Sequence, residues 1–123
     1  MTAKTCLVVD DSRMIRRVAS RILKDLKFDT KEAENGQDAI ERCRLEMPDA
    51  ILLDWNMPVM DGLDFLKELR KEPTGDKPVV VFCTAERDVL KITQALDAGA
   101  DEYVMKPFDS DIIESKFFQA GLI

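Results

Sequence analysis

The 123-residue sequence contains no histidine. That absence removes a Ser-His-Asp triad, a Cys-His pair and His-ligated zinc. It also means that the chain is not itself a phosphohistidine carrier. Cysteine is scarce: Cys6, Cys43 and Cys83 are odd in number, sit among apolar residues and show no C-x-x-C spacing. The expectation is buried free thiols in a reducing cytosol, not a disulfide framework or a metal knuckle. No basic block exists, and 18 Lys and Arg stand against 24 Asp and Glu for a net charge of −6. Binding to nucleic acid or to an anionic membrane is therefore not expected. No apolar run approaches the length of a membrane span, and the opening MTAKTCLVVDDS lacks a signal-peptide layout. A cytoplasmic location is expected. The G-x-x-x-x-G-K-[ST] loop is missing, which excludes a P-loop NTPase. Chemistry must rest on carboxylates, hydroxyls, lysine and an oxygen-loving metal.

What is present suits one domain, with 46% apolar and 34% charged residues. TCLVV (5–9), AILL (50–53) and VVVFC (79–83) are short, β-rich and apolar on both faces, the composition of central strands. DTKEA (29–33) is polar and DEYVM (101–105) is mixed, which suits sheet edges. Between them run helical patterns. The first starts at Ser12, a suitable N-cap, with Met14, Ile15, Val18, Ala19, Ile22, Leu23 and Leu26 apolar. The second turns Ala39, Ile40, Cys43 and Met47 inward, and the third Leu63, Leu66 and Leu69. The fourth turns Val89, Ile92 and Leu96 inward and stops at Gly99. The fifth turns Ile112, Ile113, Phe117 and Ala120 inward, with Phe118 off the stripe, expected to be partly buried near the end, the alternative being a partner contact. Strand and helix alternate five times, so the fold class is α/β. A (βα)5 flavodoxin-like three-layer sandwich is expected, its parallel five-stranded sheet ordered 2-1-3-4-5. A crevice opens at the carboxyl ends of strands 1 and 3 in that order.

Four strands deliver reactive side chains to that edge. Strand 1 ends in Asp10-Asp11, strand 3 in Asp54, strand 4 in Thr84 and strand 5 in Lys106. Clustered carboxylates repel one another and call for a cation. Oxygen-only ligands select a hard ion, so Mg²⁺ is the expected cofactor, with Mn²⁺ as a substitute. Lys106 and Thr84 suit two oxygens of a phosphoryl group. Asp54, on the central strand, is placed to act as nucleophile and form an aspartyl-phosphate, with Asp10 and Asp11 holding the metal.

With Val8-Val9-Asp10-Asp11-Ser12, LLDWNMPVMDG (52–62), VVVFCTA (79–85) and YVMKPF (103–108) in place, the chain resembles the response-regulator receiver family, and within it the stand-alone chemotaxis members. The resemblance spans essentially the whole chain and implies a single receiver domain over 1–123, with no effector attached after the last helix. It implies that Asp54 is the phosphoacceptor. Asp11, Asp54 and the main-chain carbonyl of Asn56 become direct metal ligands, and Asp10 a weaker or water-mediated one. It further implies a cis Lys106–Pro107 peptide and a Thr84/Tyr103 switch pair. Asn56 and Glu86 match a pair associated with rapid loss of the phosphoryl group. Implied partners are a (CheA-like) histidine kinase, a flagellar motor switch protein or another downstream protein, and a phosphatase, with the chain itself a monomer. The implied output face is helix 4, strand 5 and helix 5, with Arg87, Lys91, Gln94, Tyr103 and Lys116 as contacts. Trp55 is expected beside the pocket.

Rival functions remain at this stage. A receiver acting in a phosphorelay or cell-cycle circuit shares every site residue. A haloacid-dehalogenase-type phosphatase also uses an Asp nucleophile, but its motif needs a second Asp two residues on, where this chain has Asn56. A flavodoxin-like electron carrier would need a hydroxyl-rich phosphate loop in place of DDSRM.

Overall fold

A computed structural model describes residues 3–85 and 89–123. Five strands, β1 (Thr5–Val9), β2 (Asp29–Ala33), β3 (Ala50–Asp54), β4 (Val79–Thr84) and β5 (Glu102–Met105), alternate with five helices. These are α1 (Arg13–Asp25), α2 (Gly36–Leu45), α3 (Gly62–Lys71), α4 (Val89–Asp97) and α5 (Ser110–Gln119). The strands form one parallel sheet in the order β2-β1-β3-β4-β5, as the alternation and the polar edge strand required.

Period-two alternation divides the core into two layers. Leu7, Val9, Ile51, Leu53, Val80 and Phe82 face α2, α3 and α4. Cys6, Val8, Ala50, Leu52, Val81 and Cys83 face α1 and α5. Phe28 and Phe117 close the second layer edge to face, with centroids 5.4 Å apart at 87°. That geometry is worth about 1 kcal/mol beyond the area it buries.

Side chains cap four of the helices. Ser12, Asn35, Asp61 and Asp109 accept from Ile15 N, Asp38 N, Asp64 N and Ile112 N. Each such cap contributes about 1 kcal/mol and fixes where the chain turns from strand into helix.

Several helical faces differ from expectation. In α4 the buried residue is Ala95, while Val89 is 73% and Leu96 42% exposed. Ala95 is buried in the core layer with Ala98 packed against it, and Ile92 is half-buried, so the inward face of α4 carries Ile92, Ala95 and Ala98 in place of Val89 and Leu96. Met14 and Val18 of α1 are exposed, leaving Ala19, Ser20 and Leu23 as its buried residues. α2 ends at Leu45, so Met47 packs against the core from beyond the helix. Ile112 is 39% exposed where an inward position was expected, and Phe118 is 69% exposed where partial burial was expected. Cys6, Cys43 and Cys83 are free and buried, as expected, and burial pushes each thiol up to about 12.

Candidate functional site

Strand parity fixes what meets at the carboxyl edge. Asp10, Asp54 and Lys106 continue the alternating positions of Val8, Leu52 and Val104, which face α1 and α5. Thr84 continues the positions of Val80 and Phe82 toward α2, α3 and α4, where Tyr103 also packs. Thr84 and the acid–lysine cluster thus occupy alternate strand positions at the same carboxyl edge, with Tyr103 one position before Val104 on β5.

The cluster is compact. Oxygens of Asp10, Asp11 and Asp54 all lie within 4.8 Å of one another. Asp10 is 3% and Asp54 7% exposed, whereas Asp11 faces solvent. Lys106 reaches between the two buried acids, its Nζ 2.9 Å from Asp10 Oδ2 and 3.0 Å from Asp54 Oδ1. Its backbone N–H donates to the Thr84 carbonyl at 2.9 Å, which ties β5 to β4 at the site. The Lys106–Pro107 peptide is cis. Ser12 N donates to Asp10 Oδ1 at 2.9 Å, so both carboxylate oxygens of Asp10 are already engaged.

Electrostatics follow from burial. Desolvation raises the Asp54 pKa, opposed by the hydrogen bond from Lys106 and reinforced by the charge of Asp10. For Lys106, burial favours the neutral amine, yet its hydrogen bonds to Asp10 and Asp54 prevail and the pKa rises. Three carboxylates and one ammonium leave a formal charge of −2, since Arg16 beside them is paired with Glu32. An oxygen-only donor set with that excess fits a hard divalent cation.

Surrounding residues hold Asp54 in place. Trp55 is buried on the other face of the sheet, tilted against Phe82 at 5.0 Å, with Lys91 Nζ 5.9 Å from the indole centroid. Gly62 N donates to the Trp55 carbonyl at 2.8 Å, and a Cβ on Gly62 would collide with the Asp54 carbonyl oxygen. A Cβ on Gly36 would likewise strike Met60, whose carbonyl accepts from Gly36 N at 2.9 Å. Both glycines permit backbone approaches that shape the loop after β3.

Of the residues expected at the site, Asp10, Asp11, Asp54 and Lys106 come together, and Thr84 ends the neighbouring strand, 3% exposed. Asn56 is exposed just beyond Asp54. Tyr103 is half-buried, with Lys116 Nζ 5.1 Å from its ring centroid. Lys116 also pairs with Glu102 at 3.2 Å. Glu86 and Arg87 lie outside the described residues.

Residues 6–117 match the response regulator receiver domain. The chain belongs to that family. It is 36% identical to chemotaxis protein CheY-3 of Vibrio cholerae serotype O1 over 111 residues, 89% of this chain and 85% of that one. It is 36% identical to chemotaxis protein CheY1 of Helicobacter pylori over 112 residues, covering 89% and 90%. Among solved structures it superposes on the chemotaxis response regulator CheY4 of Vibrio cholerae with a TM-score of 0.91 at 28% identity, covering 97% and 99%. These similarities make it a CheY-like receiver. Receivers are phosphoacceptors, not turnover enzymes, which sets aside the phosphatase and electron-carrier rivals. Among the described residues no helix is long and apolar enough to cross a membrane.

Proposed function

We propose that Asp54 accepts a phosphoryl group from the phosphohistidine of a histidine kinase, with Mg²⁺ bound by Asp10, Asp11, Asp54 and the main-chain carbonyl of Asn56. The observation that carries this reading is the single ammonium of Lys106 bridging Asp54 and Asp10 beside a third carboxylate. When bound, Mg²⁺ supplies positive charge that offsets the crowded acids and the phosphoryl oxygens. Asp11, exposed at the mouth, and Asp54 suit direct ligation. Asp10, held by Ser12 N and Lys106, suits an indirect role.

In the transfer, a carboxylate lone pair of Asp54 attacks phosphorus, the donor's P–N bond breaks, and its electron pair returns to the imidazole. Burial that raises the Asp54 pKa leaves a poorly solvated, more nucleophilic carboxylate once ionised. Lys106 stays protonated and orients Asp54 before reaction and a phosphoryl oxygen after it. Thr84 donates its hydroxyl to a second phosphoryl oxygen. Reversal of the mark is hydrolysis: water attacks phosphorus and releases phosphate from Asp54. Asn56 at the mouth, together with Glu86, admits and orients that water and gives a short-lived signal.

Output is a population shift. Thr84 moves toward the phosphoryl group and Tyr103 turns into the space it vacates. Because Tyr103 stands on the edge strand β5, packed against the α4-side core layer with Lys116 of α5 5.1 Å from its ring, the surface altered is α4–β5–α5. There Lys91, Gln94, Tyr103 and Lys116 meet the partner, together with the exposed Val89 and Leu90 of α4. The relatives named as chemotaxis proteins favour a flagellar motor switch protein as partner, in a cytoplasmic pathway with a CheA-like kinase. Treatment with beryllofluoride and Mg²⁺ should change Trp55 fluorescence saturably in the native chain and leave Asp54→Asn unchanged. A response that persists in Asp54→Asn sinks the assignment. Retention of a motor switch protein by the beryllofluoride-activated form alone tests the output.

A further inference from the structure

We infer that Arg16 is a positioning residue for the metal-binding corner, acting on Asp11 through the main chain and not through its charge. Asp11 is exposed, and no hydrogen bond among the described residues holds its carboxylate. What aims it at the metal corner is its Cα–Cβ bond, whose direction is set by the two peptide groups on either side. One of these is fixed by Ser12 N donating to Asp10 Oδ1 at 2.9 Å. The other is fixed by Arg16, whose Nη1 donates to the Asp10 carbonyl at 2.7 Å. Arg16 is itself locked, because its Nε donates to Glu32 Oε1 on β2 at 3.0 Å and its side chain is only 14% exposed. Its backbone N–H donates to the Ser12 carbonyl at 3.0 Å, inside the first turn of α1. One planar guanidinium thus ties the Asp10–Asp11 turn to the edge strand, which a lysine, with a single point of donation, cannot reproduce. The inference rests on the metal-dependent reading proposed above.

Charge and positioning predict opposite results. A guanidinium beside a cation site opposes metal binding by Coulomb repulsion. If Arg16 acted only as a charge, Arg16→Met would tighten Mg²⁺ binding and Arg16→Lys would leave it unchanged. If it positions Asp11, both variants weaken binding. Residues that orient metal ligands from the outer shell typically change affinity by about tenfold or more, so roughly tenfold is expected for both. Calorimetric titration of the full chain with MgCl₂ alone reads this directly, and circular dichroism melts identify any variant that does not fold. Should Arg16→Met fail to fold, Arg16→Lys alone decides. Unchanged affinity in Arg16→Lys, or tighter binding in Arg16→Met, overturns the inference and leaves the phosphoacceptor assignment standing. Absence of Mg²⁺ binding by the native chain overturns both.

Discussion

Replacing Lys106 with methionine separates the two cations that the acid cluster requires. In the metal-free chain the ammonium lies within 3.0 Å of two carboxylates whose side chains are 5% and 9% exposed. Removing one partner of a buried ion pair typically costs about 3 to 5 kcal/mol, because the remaining charge is left without compensation. Two effects place this case at the low end. Lys106 is itself desolvated, so its removal relieves a penalty, and Asp54 already tends toward its protonated form. The expected loss is roughly 3 kcal/mol, or about 12 °C in Tm for a domain of this size. Urea denaturation at pH 7.5 without metal reads it. Lys106 has a folded pKa above the ordinary 10.5, so its contribution is fully present below that value and declines only as pH rises through the folded pKa. The deficit should therefore be constant between pH 7 and 9. Mg²⁺ should shrink it by more than half, since ligand binding stabilises the folded chain and the variant binds metal without competition from the ammonium. A deficit that Mg²⁺ leaves unchanged would mean that lysine and metal do not share these carboxylates.

Further outcomes follow from the same geometry. Asp54 has a higher pKa folded than unfolded, so its contribution to stability is fully present below the ordinary 3.8 and is lost as pH rises through the folded value. Asp54→Asn should accordingly be more stable than the native chain at pH 7.5 without metal, with the advantage fading toward pH 4 in urea titrations. Gly62→Ala forces a methyl against the Asp54 carbonyl and toward Phe82, and about 2 to 3 kcal/mol of lost stability is expected in denaturation. Phe118→Ser should alter stability by no more than about 0.5 kcal/mol, whereas Phe117→Ala, in the core, should cost about 3 to 5 kcal/mol. Cys6, Cys43 and Cys83, all buried with thiols pushed up to about 12, should react with a thiol reagent at pH 8 only after unfolding.

Much of this molecule was legible in its sequence because burial on two faces leaves a distinctive mark. AILL and VVVFC have no polar face to turn outward, so a covered parallel sheet was the available solution, and DTKEA could close only an edge. Given that order, the chain's acids, Thr84 and Lys106 had to reach one rim. Helical faces were harder, because composition favours large residues and close packing favours small ones. Val89 and Leu96 outweighed Ala95 on paper, while in α4 Ala95 carries the contact. Met14 and Val18 misled in the same way. Arg16 and Glu32 left no trace, since a polar pair bridging a helix and an edge strand resembles two separate solvated residues until the register is known. The steric demand at Gly36 and Gly62 likewise appears only when Met60 and the Asp54 carbonyl are in place.

Intact mass analysis of the native chain, incubated with a small-molecule phosphoryl donor and Mg²⁺, tests the account most directly. One acid-stable, base-labile phosphoryl addition is predicted, mapping to Asp54 after peptide digestion and absent when Mg²⁺ is chelated. No adduct, or an adduct on any other residue, contradicts it.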